Sequence, residues 1–162
     1  MTVVDGLPSH ALLVHFIVVF APLTALLVML CALWSAARRR LAWATLVLAV
    51  VTTVLTPITT GAGEWLFDLR RNPTPILQEH AARGSLMIYF AVALLVVALA
   101  LVVLHVVESR STNSRLAVNV IIAIVALAVG ISSIVQVYRI GDAGAQSVWG
   151  GEIARLKKAN GT

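Results

Sequence analysis

The residues of this chain with ligand chemistry are few, and they fall at the ends of apolar runs. His10 and His15 open the first run and Glu64 closes the second; Glu79 and His80 precede the third, and Asp142 follows the fourth. Imidazole mixed with carboxylate suits Zn, Mn or non-haem iron. Two imidazoles on facing helices suit a haem. The sequence has no nucleophile elbow, P-loop or Cys-x-x-Cys. Gly61-Ala62-Gly63 lacks the third glycine and the preceding strand of a dinucleotide fingerprint. Catalysis on a diffusible substrate is therefore not indicated.

The two histidines of the first run differ in depth. His15 lies about one and a half turns into a helix, where an ionisable residue is costly and is expected to face a protein interior or cavity. His10 is five residues earlier, about 140° around the helix axis, so the pair cannot share one ligand on a regular helix. Three readings follow. The first is haem b, with His15 and His80 as axial ligands and His10 free to bend inwards. The second is a metal ion held among His10, His15, Glu64, His80 and Asp142. The third is bland: polar helix ends satisfied by one another and by water, in a structural or accessory subunit of a larger membrane complex. Proton or small-molecule transport is a more distant alternative. His105 stands near the opposite end and reads as an interfacial histidine.

These residues need elements to position them, and composition says which. Sixty per cent of the 162 residues are hydrophobic and 12 per cent are charged, about half the charged share of a soluble domain. Mean hydropathy is +0.97. Residues 11–37, 41–63, 84–107 and 116–138 contain no Asp, Glu, Lys or Arg, and each run is long enough to span a bilayer as a helix. The expectation is an all-α, integral membrane, up-down four-helix bundle made of two hairpins. It forms a single domain over 1–162, with helices at about 10–36, 41–64, 76–107 and 115–140 and a surface-lying tail over 141–162. Ser9 is the expected N-cap of the first helix, and Pro22 is expected to kink it. Thr74-Pro75 fits the start of the third, where Glu79 and Arg83 can pair. Thr52, Thr56 and Thr60 repeat on one face of the second helix. Close packing with hydroxyls bonded back to the backbone explains them; a polar site lining is the functional alternative.

The net charge of +5 does not point to nucleic acid, because the basic residues flank apolar runs and form no stripe with aromatics. They read as topology determinants and contacts to anionic lipid. Residues 1–10 contain no Lys or Arg, so the first run is expected to remain as a membrane helix. Three arginines follow that helix and nothing basic precedes it. This places both termini outside the cytoplasm of a bacterial inner membrane. Small-residue helix faces make a homo-oligomer, or membership of a larger membrane complex, the expected state. The lone Cys31 reads as a packing residue.

The two halves echo each other. One runs from His10-Ala11 through a hairpin to Gly61-Ala62-Gly63-Glu64-Trp65, the other from His80-Ala81 through a hairpin to Gly141-Asp142-Ala143-Gly144 and Trp149. Such an arrangement is a parallel repeat about an axis along the membrane normal. The segments His10-Ala-Leu-Leu-Val-His15-Phe16, Gly61-Ala-Gly-Glu64, Glu79-His80-Ala81, Val135 to Ala145 and Val148-Trp149-Gly150 resemble the domain-of-unknown-function 2231 family, small four-helix membrane proteins of bacteria. The resemblance implies an integral membrane protein and carries no established activity. Related domains beside c-type cytochrome modules imply a respiratory or redox setting, with electron transfer as the expected role. Related chains often have His where this one has Asp142, which implies an altered site here if that position is a ligand.

Overall fold

The computed structural model describes residues 3–4, 6–110 and 116–161. A two-residue antiparallel pairing of β1 (Val3–Val4) with β2 (Leu7–Pro8) precedes the helices. Gly6, at φ +81° in the turn between them, takes a backbone conformation open to glycine. The rest is helical: α1 (Ser9–Leu33), α2 (Ser35–Asp68), α3 (Pro75–Ser85), α4 (Met87–Arg110) and α5 (Leu116–Ala159). With α3 and α4 taken as one segment, all four segments are long and apolar enough to cross a membrane. The protein is an all-α up-down bundle of two hairpins. α1 packs on α2 and α5, α2 packs on α4, and α5 closes the ring against α3 and α4.

Several boundaries differ from those expected. Pro8 takes the N-cap position and Ser9 is the first helical residue. The first turn is a single extended residue, Trp34, so Arg38, Arg39 and Arg40 belong to α2 rather than to a loop. α1 passes through Pro22 and α2 through Pro57 and Gly61-Ala62-Gly63 without a break. Thr74 takes the N-cap position of α3, without a side-chain capping bond, and Pro75 lies in its first turn, as expected. That segment then breaks at Leu86. The residues beyond Gly141 form no separate surface segment: α5 continues to Ala159. The turn expected over 109–114 lies largely outside the described residues.

Burial shows the internal repeat that sequence identity only hints at. Behind His10, the residues Ile17, Ala21, Thr24, Val28 and Cys31 form the buried stripe of α1. Seventy residues later, behind His80, Met87, Ala91, Leu94, Ala98 and Leu101 form the same stripe. The second helices match at a spacing of 81: Thr45, Ala49, Thr52 and Thr56 are buried on α2, and Ala126, Gly130, Ser133 and Val137 on α5. Thr52 Oγ1 donates to the Leu48 carbonyl at 2.8 Å and Ser133 Oγ to the Val129 carbonyl at 2.7 Å, again 81 residues apart. The threonines of α2 bond back to the preceding turn, so helices meet closely without unpaired hydroxyls. Other large apolar side chains point outward. Val47, Val54, Ile58, Val96, Val103, Ile121 and Ile124 are all more than 50 % exposed, as a lipid-facing surface requires.

The end of the bundle remote from His10 is locked by Arg38. This guanidinium is 2 % exposed and every donor direction is used. It forks onto Glu108 at 3.1 and 2.8 Å and reaches Asn119 Oδ1 at 3.1 Å. It also donates to the Cys31 carbonyl at 2.9 Å and to that of Ala32 at 3.5 Å. The last carbonyls of a helix have no partner within it; here an arginine of the next helix supplies one, and the same side chain ties in α4 and α5. Removing one member of such a pair leaves a buried charge uncompensated. Glu108→Ala is expected to lower stability by about 3 kcal/mol, read as an earlier midpoint in SDS titration of the detergent-solubilised protein. Glu108→Gln, which keeps an acceptor, is expected to lose less.

Candidate functional site

At the other end the two halves bring His10 and His80 together. Each sits at the start of its buried stripe, so each side chain points into the bundle. The ring centroids are 6.2 Å apart and the planes are 81° from parallel. His10 Nδ1 lies 2.9 Å from the Thr59 carbonyl oxygen, and His80 Nδ1 lies 2.9 Å from that of Ile140. Thr59 and Ile140 are themselves 81 residues apart. A carbonyl oxygen only accepts, so Nδ1 is the protonated nitrogen in both rings. In the neutral imidazole the lone pair then belongs to Nε2. An Nδ1–H held by a backbone carbonyl is how proteins orient ligating histidines.

The neighbouring helices make room for the rings. A Cβ on Gly63 would stand 2.8 Å from His10 Nδ1, and one on Gly144 would stand 2.9 Å from His80 Cε1. These two glycines are equivalent under the 81-residue spacing, and each lets an imidazole lie against a bare helix backbone.

A cavity of about 930 Å³ has both histidines in its wall, within the range of roughly 300–1,000 Å³ usual for cofactor and small-molecule sites. Its wall repeats as the fold does. His10, Ala11, Val14 and Ile17 on α1 answer to His80, Ala81, Gly84 and Met87. Thr60, Gly63, Glu64, Leu66 and Phe67 on α2 answer to Gly141, Gly144, Ala145, Ser147 and Val148 on α5. The floor is apolar: Ile17, Met87 and Val137 are buried, with Leu55, Phe90 and Ile140 packed against their cluster.

The other candidate ligands fall elsewhere. His15 does not face the interior. Its Nδ1 donates to the Ala11 carbonyl at 2.6 Å, and the side chain is exposed. The core stripe of α1 is centred on His10, and five residues of helix turn His15 about 140° away from it. Glu64 is on the cavity wall but exposed, and Asp142 is exposed and accepts from Gln146 Nε2 at 3.0 Å. Glu79 pairs with Arg83, as the spacing predicts. His105 sits on α4 towards the Arg38 end. Among the described residues no three His, Cys, Asp or Glu side chains converge where they could hold a metal ion, and of His10, His15, Glu64, His80 and Asp142 the structure brings only the His10 and His80 rings together. Sequence reasoning placed His10 second to His15. The spacing His10, Ile17, Ala21, Thr24, Val28, repeated from His80, was the signal that could have reversed them.

The whole chain carries the same pattern as a known group. The family described as predicted membrane proteins, domain of unknown function 2231, matches residues 6–156. The chain belongs to that family. The family match spans both hairpins and the histidine pair, so the repeat lies within the family's own extent. No curated protein and no solved structure matches the chain.

The glycines give a direct check on the packing of the rings. Gly63→Ala and Gly144→Ala are each expected to destabilise the protein by about 1–3 kcal/mol through overpacking. Gly61→Ala and Gly141→Ala meet no atom within 4 Å and are expected to be neutral or up to about 1 kcal/mol stabilising from helix propensity. Thermal unfolding in detergent of the four single variants reads both outcomes.

Proposed function

We propose that His10 and His80 are the axial ligands of one b-type haem seated in the cavity between the hairpins. The protein is then a membrane electron-transfer component of a respiratory or redox assembly. The observation that carries this reading is the imidazole pair. Bonds of about 2 Å from a metal to each imidazole nitrogen, plus roughly 1 Å from nitrogen to ring centre, separate two axial rings by about 6 Å. The centroids here stand at 6.2 Å. Both Nδ1 atoms are held by backbone carbonyls, which leaves Nε2 of each ring as the ligating atom.

Two further features favour haem over an ion. A haem iron takes its other four ligands from the porphyrin and asks the protein for two, whereas a protein-bound zinc needs three or four protein ligands. Much of the cavity wall repeats about a two-fold, and a porphyrin has an in-plane two-fold axis through its iron. An apolar floor, with no carboxylate bonded to either imidazole among the described residues, suits a porphyrin edge. Bound there, haem supplies a one-electron couple. The chain's residues fix the rings, exclude water from the floor and set the distance between ligands. Its lipid-facing surface suits a bilayer, and the reading places it in a bacterial inner membrane, as an oligomer or in a larger membrane complex, with the histidine end outside the cytoplasm.

The test is a reduced-minus-oxidised visible spectrum of protein purified in mild detergent after native expression, with metals assayed on the same sample. Wild type is expected to show a b-type spectrum with one haem per chain. His10→Ala and His80→Ala are expected to lose it, and His15→Ala to keep it. Stoichiometric metal without a Soret band would replace haem with an ion site. Neither cofactor in wild type would leave a structural or accessory subunit as the function.

A further inference from the structure

The cavity wall departs from two-fold symmetry beyond Phe67. After Phe67 the first half turns over the mouth and contributes Asp68, Arg70, Asn72 and Thr74, whereas after Val148 the second half continues outward as α5. The mouth is therefore polar and one-sided, above a floor of Ile17, Met87 and Val137. Among the described residues Arg70 is the one Lys or Arg on the wall. Its side chain is exposed and makes no ion pair with any described residue, unlike Arg38, Arg83 and Arg155.

A cavity with an apolar floor and a guanidinium at its mouth is shaped for an amphipathic ligand with an anionic edge. Haem b is one: vinyl and methyl groups edge one side and two propionates the other. Building on the haem reading above, we propose that Arg70 binds a propionate carboxylate and so fixes the porphyrin with its carboxylates at the mouth and its apolar edge on the floor. A guanidinium meets a carboxylate through charge-assisted hydrogen bonds. Asn72 and Thr74 supply further polar groups in the same sector. Glu64 and Asp68 also border the cavity and are exposed. Their like charge disfavours a carboxylate beside them, so the guanidinium of Arg70 is the cationic partner that the wall offers a propionate. Arg70 acts here as a specificity residue for a carboxylate-bearing porphyrin and does not touch the iron.

The experiment compares haem b with its dimethyl ester, which keeps the ring, iron and apolar edge but carries no carboxylate charge. Haem-depleted full-length protein in detergent is titrated with each, following the Soret band, for wild type, Arg70→Ala and Arg71→Ala. Arg71 neighbours Arg70 but is not on the cavity wall. Arg70→Ala is expected to weaken haem b by on the order of tenfold and to leave the diester unchanged. Arg71→Ala is expected to change neither. An equal loss for both porphyrins, or no loss for either, overturns the role of Arg70. Wild-type protein that binds neither porphyrin overturns the haem reading itself, a result distinct from failure of the Arg70 assignment.

Discussion

Two hydrogen bonds organise the histidine end of this bundle. Each imidazole crosses from the first helix of its hairpin to a backbone carbonyl on the second, His10 to Thr59 and His80 to Ile140. A carbonyl has two lone pairs, so it can serve the helix ladder and the imidazole together. The bond fixes the tautomer, the ring plane and the direction of Nε2. It requires the ring to lie on the facing helix, hence glycine at positions 63 and 144. It also requires the two helices to approach closely, hence the alanines, glycine and back-bonded hydroxyls on the buried stripes.

The two halves obey the same plan but are held differently. His10 stands at the head of an unbroken 25-residue helix, whereas His80 stands on α3, an 11-residue helix without a buried residue, which breaks from α4 at Leu86. Polar contacts replace apolar burial there. Gln136 Nε2 donates to the Arg83 carbonyl at 2.9 Å, and Arg83 reaches the Arg139 carbonyl at 3.2 Å while pairing with Glu79. At the far end Arg38 performs a related task, drawing α1, α4 and α5 onto α2. The apolar middle between these ends carries the bilayer, and the polar devices at its ends set the register of the helices.

The architecture was legible in the sequence because four uncharged runs leave no other fold for a chain of this composition. The helix ends were less so. One extended residue, Trp34, suffices for the first turn, and no propensity argument separates that from the four-residue loop expected over 37–40. The site was half legible. The histidines and glycines at chain positions corresponding between the halves, with acidic residues near them, pointed to one end of the bundle, and depth then favoured His15 over His10. Depth was the wrong criterion, because an exposed histidine can satisfy its Nδ1–H on its own helix, as His15 does with Ala11. Angular position on the small-residue stripe was the right one. Arg38 was read as a topology signal only. Its burial depends on the short turn and on Glu108 arriving 70 residues later, and neither is visible locally.

The central claim is that His10 and His80 form one site across the two-fold, with their imidazole planes near perpendicular at 81°. Electron paramagnetic resonance of the oxidised protein tests it most directly, because the relative angle of two axial imidazoles governs the anisotropy of a low-spin ferric haem. The expected result is the highly anisotropic low-spin signal, with a large maximal g value, that perpendicular imidazole planes would produce. The rhombic signal of parallel planes, a high-spin signal from a singly ligated iron, or protein without ferric haem would contradict it.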